Sequence, residues 1–255
     1  MEKIERALEE VRRKQEPAVP AGHADGTAPA PGAPTLRTPA ADRDALVKRR
    51  VIAGPCGTAL TDSYKVLRTQ VDQRGPRGGQ ADALMVTSAI DDEGKTLTAL
   101  NLAISFAQQI DRAVLLVEAD LRNPGLKELL GLDPALPGLA DHLLDGRPLQ
   151  DLIVRPIERL SVIPAGRAVA NSPELLGSHR MKELMAELRR QFEGCILIFD
   201  TPPLLNSADA LVFSEAVDAI LMVVEAGKTP VDKVNKAKEL LRGKPLIGLV
   251  LNKAR

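Results

Sequence analysis

The chain has 255 residues, room for one large α/β domain with a well-buried core. Lysine plus arginine and aspartate plus glutamate both number 34, so the formal net charge is zero, and aromatic residues make up only 2%. That balance excludes a strongly basic nucleic-acid binder and leaves little for stacking on bases, so no nucleic-acid partner is expected.

Residues 1–16 read as a short N-terminal helix, with Met1, Ile4, Leu8 and Val11 on one stripe. A lone helix of this length is marginal in water, so it either docks on its own domain or a partner, or frays. Residues 17–44 carry Pro17, Pro20, Pro29, Pro31, Pro34 and Pro39 among Ala and Gly. Such a composition cannot bury a core and reads as a flexible linker. The domain proper is placed at residues 45–255, with Lys48-Arg49-Arg50 as a solvated charge run near its start.

Thr58 to Gln73 is helical, with Leu60, Tyr64, Leu67 and Val71 on one face. Asp62, Lys65 and Arg68 share another face, which is either solvated or a subunit contact. After the loop at residues 74–79, the apolar run Ala83 to Val86 reads as a buried strand, and a helical pattern runs from Leu97 to Gln108. Ala113 to Val117 is a second continuous apolar run, as a strand buried on both faces requires. Short helical pieces fall around Leu126–Leu130 and Gly138–Leu144, and a strand at Leu160–Pro164. Ser172 and Pro173 read as an N-cap and N1 pair, and Met181, Leu184, Met185, Leu188 and Phe192 as a core stripe. Ile196 to Phe199 is a strand ended by Asp200. Asn206 or Ser207 then caps a helix through Ala216, with Asp209 in its first turn. Ala219 to Val224 is a strand, Thr229-Pro230 opens a capped helix, and Leu246 to Leu251 is the last strand, ending at Asn252-Lys253. Strands alternating with helices imply a doubly wound, mostly parallel α/β sheet with helices on both faces.

Cys56 and Cys195 make no disulfide framework, and Cys195 is expected to be a buried small hydrophobe. His23, His142 and His179 are scattered, without metal-ligand spacing. No apolar run approaches the length of a membrane span, and the charged N-terminus has no signal-peptide core. A cytoplasmic protein is expected, recruited to a membrane if it works there.

Three stretches carry chemistry. Strand, polar loop, Gly94-Lys95-Thr96 and helix form the layout of a phosphate-binding loop. Free N–H groups at the helix start and the helix macrodipole favour an anion there. The loop from Ala89 through Ile90, Asp91, Asp92, Glu93, Gly94, Lys95 and Thr96 to Leu97 is the candidate nucleotide cradle. Lys95 would reach the outer phosphates of ATP, and the Thr96 hydroxyl would ligate Mg²⁺. The second stretch ends a strand in Glu118-Ala119-Asp120-Leu121-Arg122, at the sheet edge where open α/β folds bind ligands. The third, Ile196-Leu197-Ile198-Phe199-Asp200, is four apolar residues and a carboxylate that helps hold Mg²⁺.

Together these stretches resemble the cytoplasmic ATPase domain of bacterial tyrosine kinases (BY-kinases) of capsule and exopolysaccharide loci, relatives of the MinD/ParA ATPases. The chain is most similar to the stand-alone autokinases of exosortase-associated loci, over residues 45–254 and in its N-terminal helix. The resemblance implies that Lys95 and Thr96 hold ATP and Mg²⁺. Asp120 is then the base or a metal-positioning carboxylate, Asp200 completes the metal shell, Arg122 orients the acidic strand end, and Asn252 lies on the adenine side. It also implies ring assembly through the helix bearing Asp62, Lys65 and Arg68, and work with a transmembrane polysaccharide co-polymerase.

Ala89 stands where the general phosphate-binding loop G-x-x-x-x-G-K-[ST] has its first glycine. The chain departs from the family pattern at three places. Asp91 and Asp92 replace Pro-Gly and are expected to repel a triphosphate unless they face water; Asp92 replaces a residue free to take φ > 0, a region that Asp tolerates better than most. Glu118 stands where Asp is usual. Tyr64 is the single tyrosine of the sequence, so autophosphorylation on a C-terminal tyrosine cluster is not expected. Three functions stay open: a kinase-like regulator of polysaccharide export, a MinD/ParA-type positioning ATPase, and a non-catalytic nucleotide-gated scaffold. Ile90, where the positioning ATPases carry a lysine, counts against the second.

Overall fold

The computed structural model describes residues 43–52, 58–75, 83–110 and 112–254. The expected helix at 1–16, nearly all of the linker, and Cys56 lie outside these residues. Seven strands form one sheet among the described residues: β1 (Ala83–Ser88), β2 (Val114–Glu118), β3 (Val154–Ile157), β4 (Leu160–Ile163), β5 (Ile196–Asp200), β6 (Ala219–Glu225) and β7 (Leu246–Asn252). Their order is β3-β4-β2-β5-β1-β6-β7, and every pair is parallel except β3 with β4. β1, β2, β4 and β5 are buried along their whole length, which is why they read as unbroken apolar runs. The sequence reading missed β3, whose Pro156 breaks the pattern. At a sheet edge the missing N–H is tolerated.

Side chains alternate between two cores. Leu84 and Val86 of β1 face one, together with α1 (Arg43–Lys48), α2 (Ala59–Arg74), α3 (Lys95–Ala107) and α4 (Leu126–Leu130). Met85 faces the other, with α5 (Leu139–Asp145), α6 (Ser172–Leu176), α7 (His179–Gln191), α8 (Asp209–Phe213) and α9 (Val231–Leu240). The sheet is doubly wound, as expected. The expected stripe on α7 is buried, and Cys195 is half-buried against the same core. Burial raises the Cys195 thiol pKa.

Several local expectations are corrected. On α2 the buried residues are Thr61, Tyr64 and Val71, whereas Leu60 is 40% exposed. Thr58 caps this helix, its hydroxyl accepting from the Thr61 N–H at 3.2 Å. Asn171, not Ser172, precedes α6, so Ser172 and Pro173 lie inside its first turn. Pro230, not Thr229, precedes α9. α8 stops at Phe213, short of Ala216, and Ala208 precedes it. Ser172, Asn206 and Thr229, which read locally as caps, have distant partners in the site below, whereas Ser207 accepts locally from the Asp209 N–H at 3.1 Å. The sequence also missed α1. Leu46, Val51 and Ile52 are buried, and Asn101 of α3 holds the strap by accepting from the Ile52 N–H and donating to the Arg50 carbonyl, both at 2.9 Å.

Candidate nucleotide site

β2, β5 and β1 are neighbours, so their carboxyl ends bring Glu118, Asp200 and the loop after Ser88 to one point of the sheet edge. The loop turns into α3 at Gly94, whose φ is +86°. A Cβ there would overlap the Asn252 side chain, so glycine is required both for its conformation and for space. Ala89 is fully buried in the core, and its carbonyl accepts from the Leu205 N–H at 3.2 Å. Leu97 packs on the opposite core through its side chain, leaving only its backbone to the loop.

Lys95 Nζ lies 2.7 Å from Asp120 Oδ2 and 3.5 Å from the Thr96 hydroxyl. Burial works against its charge, but Asp200, Asp120 and Glu118 outweigh that and raise its pKa. Asp200 is fully buried, and neither of its carboxylate oxygens has a hydrogen-bond partner. Burial pushes its pKa up to about 7, against the opposing pull of Lys95 and Thr96. Asp120 is also buried, its other oxygen accepting from the Asn123 N–H at 3.0 Å. A buried carboxylate lacking donors, beside a buried ammonium and a hydroxyl, fits a divalent cation and an anionic ligand that together replace the missing partners. Lys95, Thr96, Asp120 and Asp200 could therefore hold Mg²⁺ and phosphate.

Glu118 is arranged differently. One oxygen accepts from the N–H groups of Gly125 and Leu126, both at 2.6 Å, and the other from Ala165 at 2.9 Å. Burial raises its pKa, and those three amides pull it back. Its carboxylate ties the start of α4 to the loop after β4. Arg122 donates from Nε to Ser172 Oγ at 3.0 Å, and Ser172 in turn donates to the fully buried Asp209 at 2.5 Å. The acidic strand end is thus latched to α6 and α8. Asp209 stands at the expected first turn, but its carboxylate serves this latch.

The outer side of the loop is held from four directions. Glu93 is buried. Its carboxylate accepts from the Ile90 N–H at 2.8 Å, from the Thr229 hydroxyl at 2.5 Å and from the Glu225 N–H at 3.3 Å. Ser88 Oγ donates to the Ile90 carbonyl at 2.7 Å. Asn252 donates to the Glu93 carbonyl at 2.8 Å, and Lys253 to the Asp92 carbonyl at 2.6 Å. Asp91 and Asp92 are both exposed, and Asp91 accepts from the Asn206 amide. Sequence reasoning missed Asn206, Thr229, Ser172 and Lys253 as site residues. Three of these four resembled helix caps, and nothing local marks Lys253.

Away from the site, Asp62 and Lys65 form an ion pair at 3.0 Å on the surface of α2. Arg68 turns inward instead, donating to the Ser105 carbonyl at 2.6 Å. Its charge sits at the C-terminal end of α3, where the dipole favours a cation. Among the described residues no helix is long and apolar enough to cross a membrane.

No protein-family model matches the chain. It is 35% identical over 215 residues to the tyrosine-protein kinase YwqD of Bacillus subtilis (strain 168), covering 83% of this chain and 89% of that one. It is 32% identical over 216 residues to the succinoglycan biosynthesis transport protein ExoP of Rhizobium meliloti (strain 1021), covering 81% of this chain but 26% of that one. Among solved structures, the chimerical protein CapA2B2 superposes with a TM-score of 0.74 at 27% identity, covering 88% of this chain and 95% of that one.

Proposed function

The chain belongs to the bacterial tyrosine-protein kinase family, ATP-using enzymes built on a P-loop fold, and on that premise we propose that it is a kinase-like regulator of exopolysaccharide polymerisation or export. Its proposed acceptor is a tyrosine on another protein. The observation that carries this reading is the convergence of Lys95, Asp120 and the fully buried Asp200 beside a Gly-Lys-Thr loop. Lys95 and the loop amides from Asp91 to Thr96 receive the phosphates of ATP, with Asn252 on the adenine side; the Ile90 N–H is taken by the Glu93 carboxylate. Thr96, Asp120 and Asp200 hold Mg²⁺, which when bound neutralises charge on the phosphoryl group being transferred. Lys95 leaves Asp120 for the phosphates, freeing Asp120 Oδ2 to face the metal or take the proton of the acceptor hydroxyl. Arg122, latched by Ser172 and Asp209, keeps Asp120 aimed.

Within this sequence the one tyrosine, Tyr64, is buried, which supports an acceptor outside it. ExoP's name as a succinoglycan transport protein supports the polysaccharide context. The partner class we propose is a transmembrane polysaccharide co-polymerase, which recruits the protein to the inner face of the membrane and promotes its self-assembly. Incubating the protein with Mg·ATP and the cytoplasmic segments of such a partner, then mapping phosphotyrosine by mass spectrometry, tests this. Phosphate is expected on the partner and not on Tyr64. ATP binding without transfer to any partner would favour a nucleotide-gated scaffold instead.

A further inference from the structure

Asp92 adopts φ of +63°, in the left-handed region that residues bearing a side chain rarely adopt. Such residues persist where the surroundings over-determine them. Here the constraint acts on the backbone. Lys253 donates to the Asp92 carbonyl at 2.6 Å, and Asn252 donates to the next carbonyl, that of Glu93, at 2.8 Å. The Lys253 ammonium also lies 3.0 Å from Glu225 Oε2 at the end of β6. Its hydrogen bond to that carboxylate is the leading cause of a lowered Glu225 pKa. The lysine stem crosses the loop, its Cε 4.0 Å from where a Cβ on Gly94 would stand.

A peptide unit is planar and trans, so its C=O and N–H point in opposite directions. Pinning the Asp92 and Glu93 carbonyls outward therefore turns the Glu93 and Gly94 N–H groups inward, toward the place where phosphate oxygens would sit. We infer that Lys253 is a positioning residue for ATP binding: by clasping the Asp92 carbonyl it fixes the loop amides in their phosphate-facing orientation before nucleotide arrives. This rests on reading the Gly-Lys-Thr loop as the ATP site. Without the clasp, Asp92 relaxes toward negative φ and the Glu93 amide rotates away, while Asn252 still holds the Glu93 carbonyl.

The test uses the full chain and two readouts: Mg·ATP affinity by calorimetry, and amide hydrogen exchange at residues 90–94 without nucleotide. Lys253→Ala is expected to weaken ATP binding about tenfold and to speed loop exchange by a similar factor, and Lys253→Arg to restore both. Adding Asp92→Gly to Lys253→Ala should recover most of the affinity, because glycine adopts the left-handed conformation without strain. Unchanged affinity and exchange in Lys253→Ala would overturn the inference. So would weakened affinity with unchanged exchange and no recovery by Asp92→Gly, which would make Lys253 a direct nucleotide contact. Lys95→Ala separates the two levels. If it leaves ATP affinity intact, the ATP-site reading fails; if it destroys affinity while Lys253→Ala is silent, only the clasp fails.

Discussion

On the inner wall of the phosphate loop, Asp200 lies fully buried with neither oxygen hydrogen-bonded, while on the outer wall Asp91 lies in water and accepts from Asn206. The two carboxylates border one short loop, yet their circumstances are inverted. Burying a charge without donors is costly and persists where a ligand will supply the missing partners. An exposed carboxylate carries little electrostatic cost and is free to shape the chain. Asp91 and Asp92 thus differ from the repulsive pair that their charge alone suggests, since both face water. Glu93 stands between the two cases: it is buried, but every contact it makes braces the loop.

The inner wall should be the more fragile. Lys95→Ala removes the cation that faces Asp120 and Asp200, and breaking a buried pair costs about 3–5 kcal/mol. A large fall in melting temperature is expected. Loss of the phosphate contact should cost a further 1.5–3 kcal/mol or so in ATP affinity. Calorimetry showing unchanged ATP affinity would remove Lys95 from the site.

The inner wall should also respond to pH. The Asp200 pKa is raised to about 7, so what this group contributes to stability is present at acid pH and is lost as pH rises through 7. Metal binding needs the carboxylate charged, so the Mg²⁺-dependent part of ATP affinity should strengthen over the same range. At pH 6 it should be about tenfold weaker than at pH 8. Asp200→Asn should abolish that dependence, and a variant with the wild-type profile would assign the titration elsewhere.

The latch behind the inner wall is next. Asp209→Ala leaves the buried Ser172 hydroxyl without its acceptor and Arg122 without its carboxylate, at a cost of about 1–3 kcal/mol. Phosphoryl transfer should fall more than ATP affinity, because Asp120 loses its aim while Lys95 and Thr96 stay in place. Equal losses in both would reduce the latch to a structural role.

The outer wall should yield the smallest effect. Asp91→Ala removes an exposed charge and should change ATP affinity by less than about 0.5 kcal/mol. Tenfold tighter binding would mean that the carboxylate does reach the phosphates, and the contrast between the two walls would collapse.

Local pattern alone marked six of the seven strands but not the edge strand β3, because strands buried on both faces must be apolar throughout and the helices between them must show a matching face. It also marked Lys95, Thr96, Asp120 and Asp200, because a glycine-flanked lysine at a helix start and acidic residues at strand ends are local features. What holds those residues was decided by the tertiary structure. Ser172, Asn206 and Thr229 look like caps in the sequence because a short polar side chain beside a helix start bonds the nearest amide by default. The fold instead offers them Asp209, Asp91 and Glu93, each brought close by the parallel crossovers. Asn252 and Lys253 reach loop carbonyls 159 and 161 residues away. The added methylene of Glu118 carries its carboxylate to three backbone amides in two other loops. No periodicity encodes such contacts, because they depend on which strand ends the sheet order places side by side.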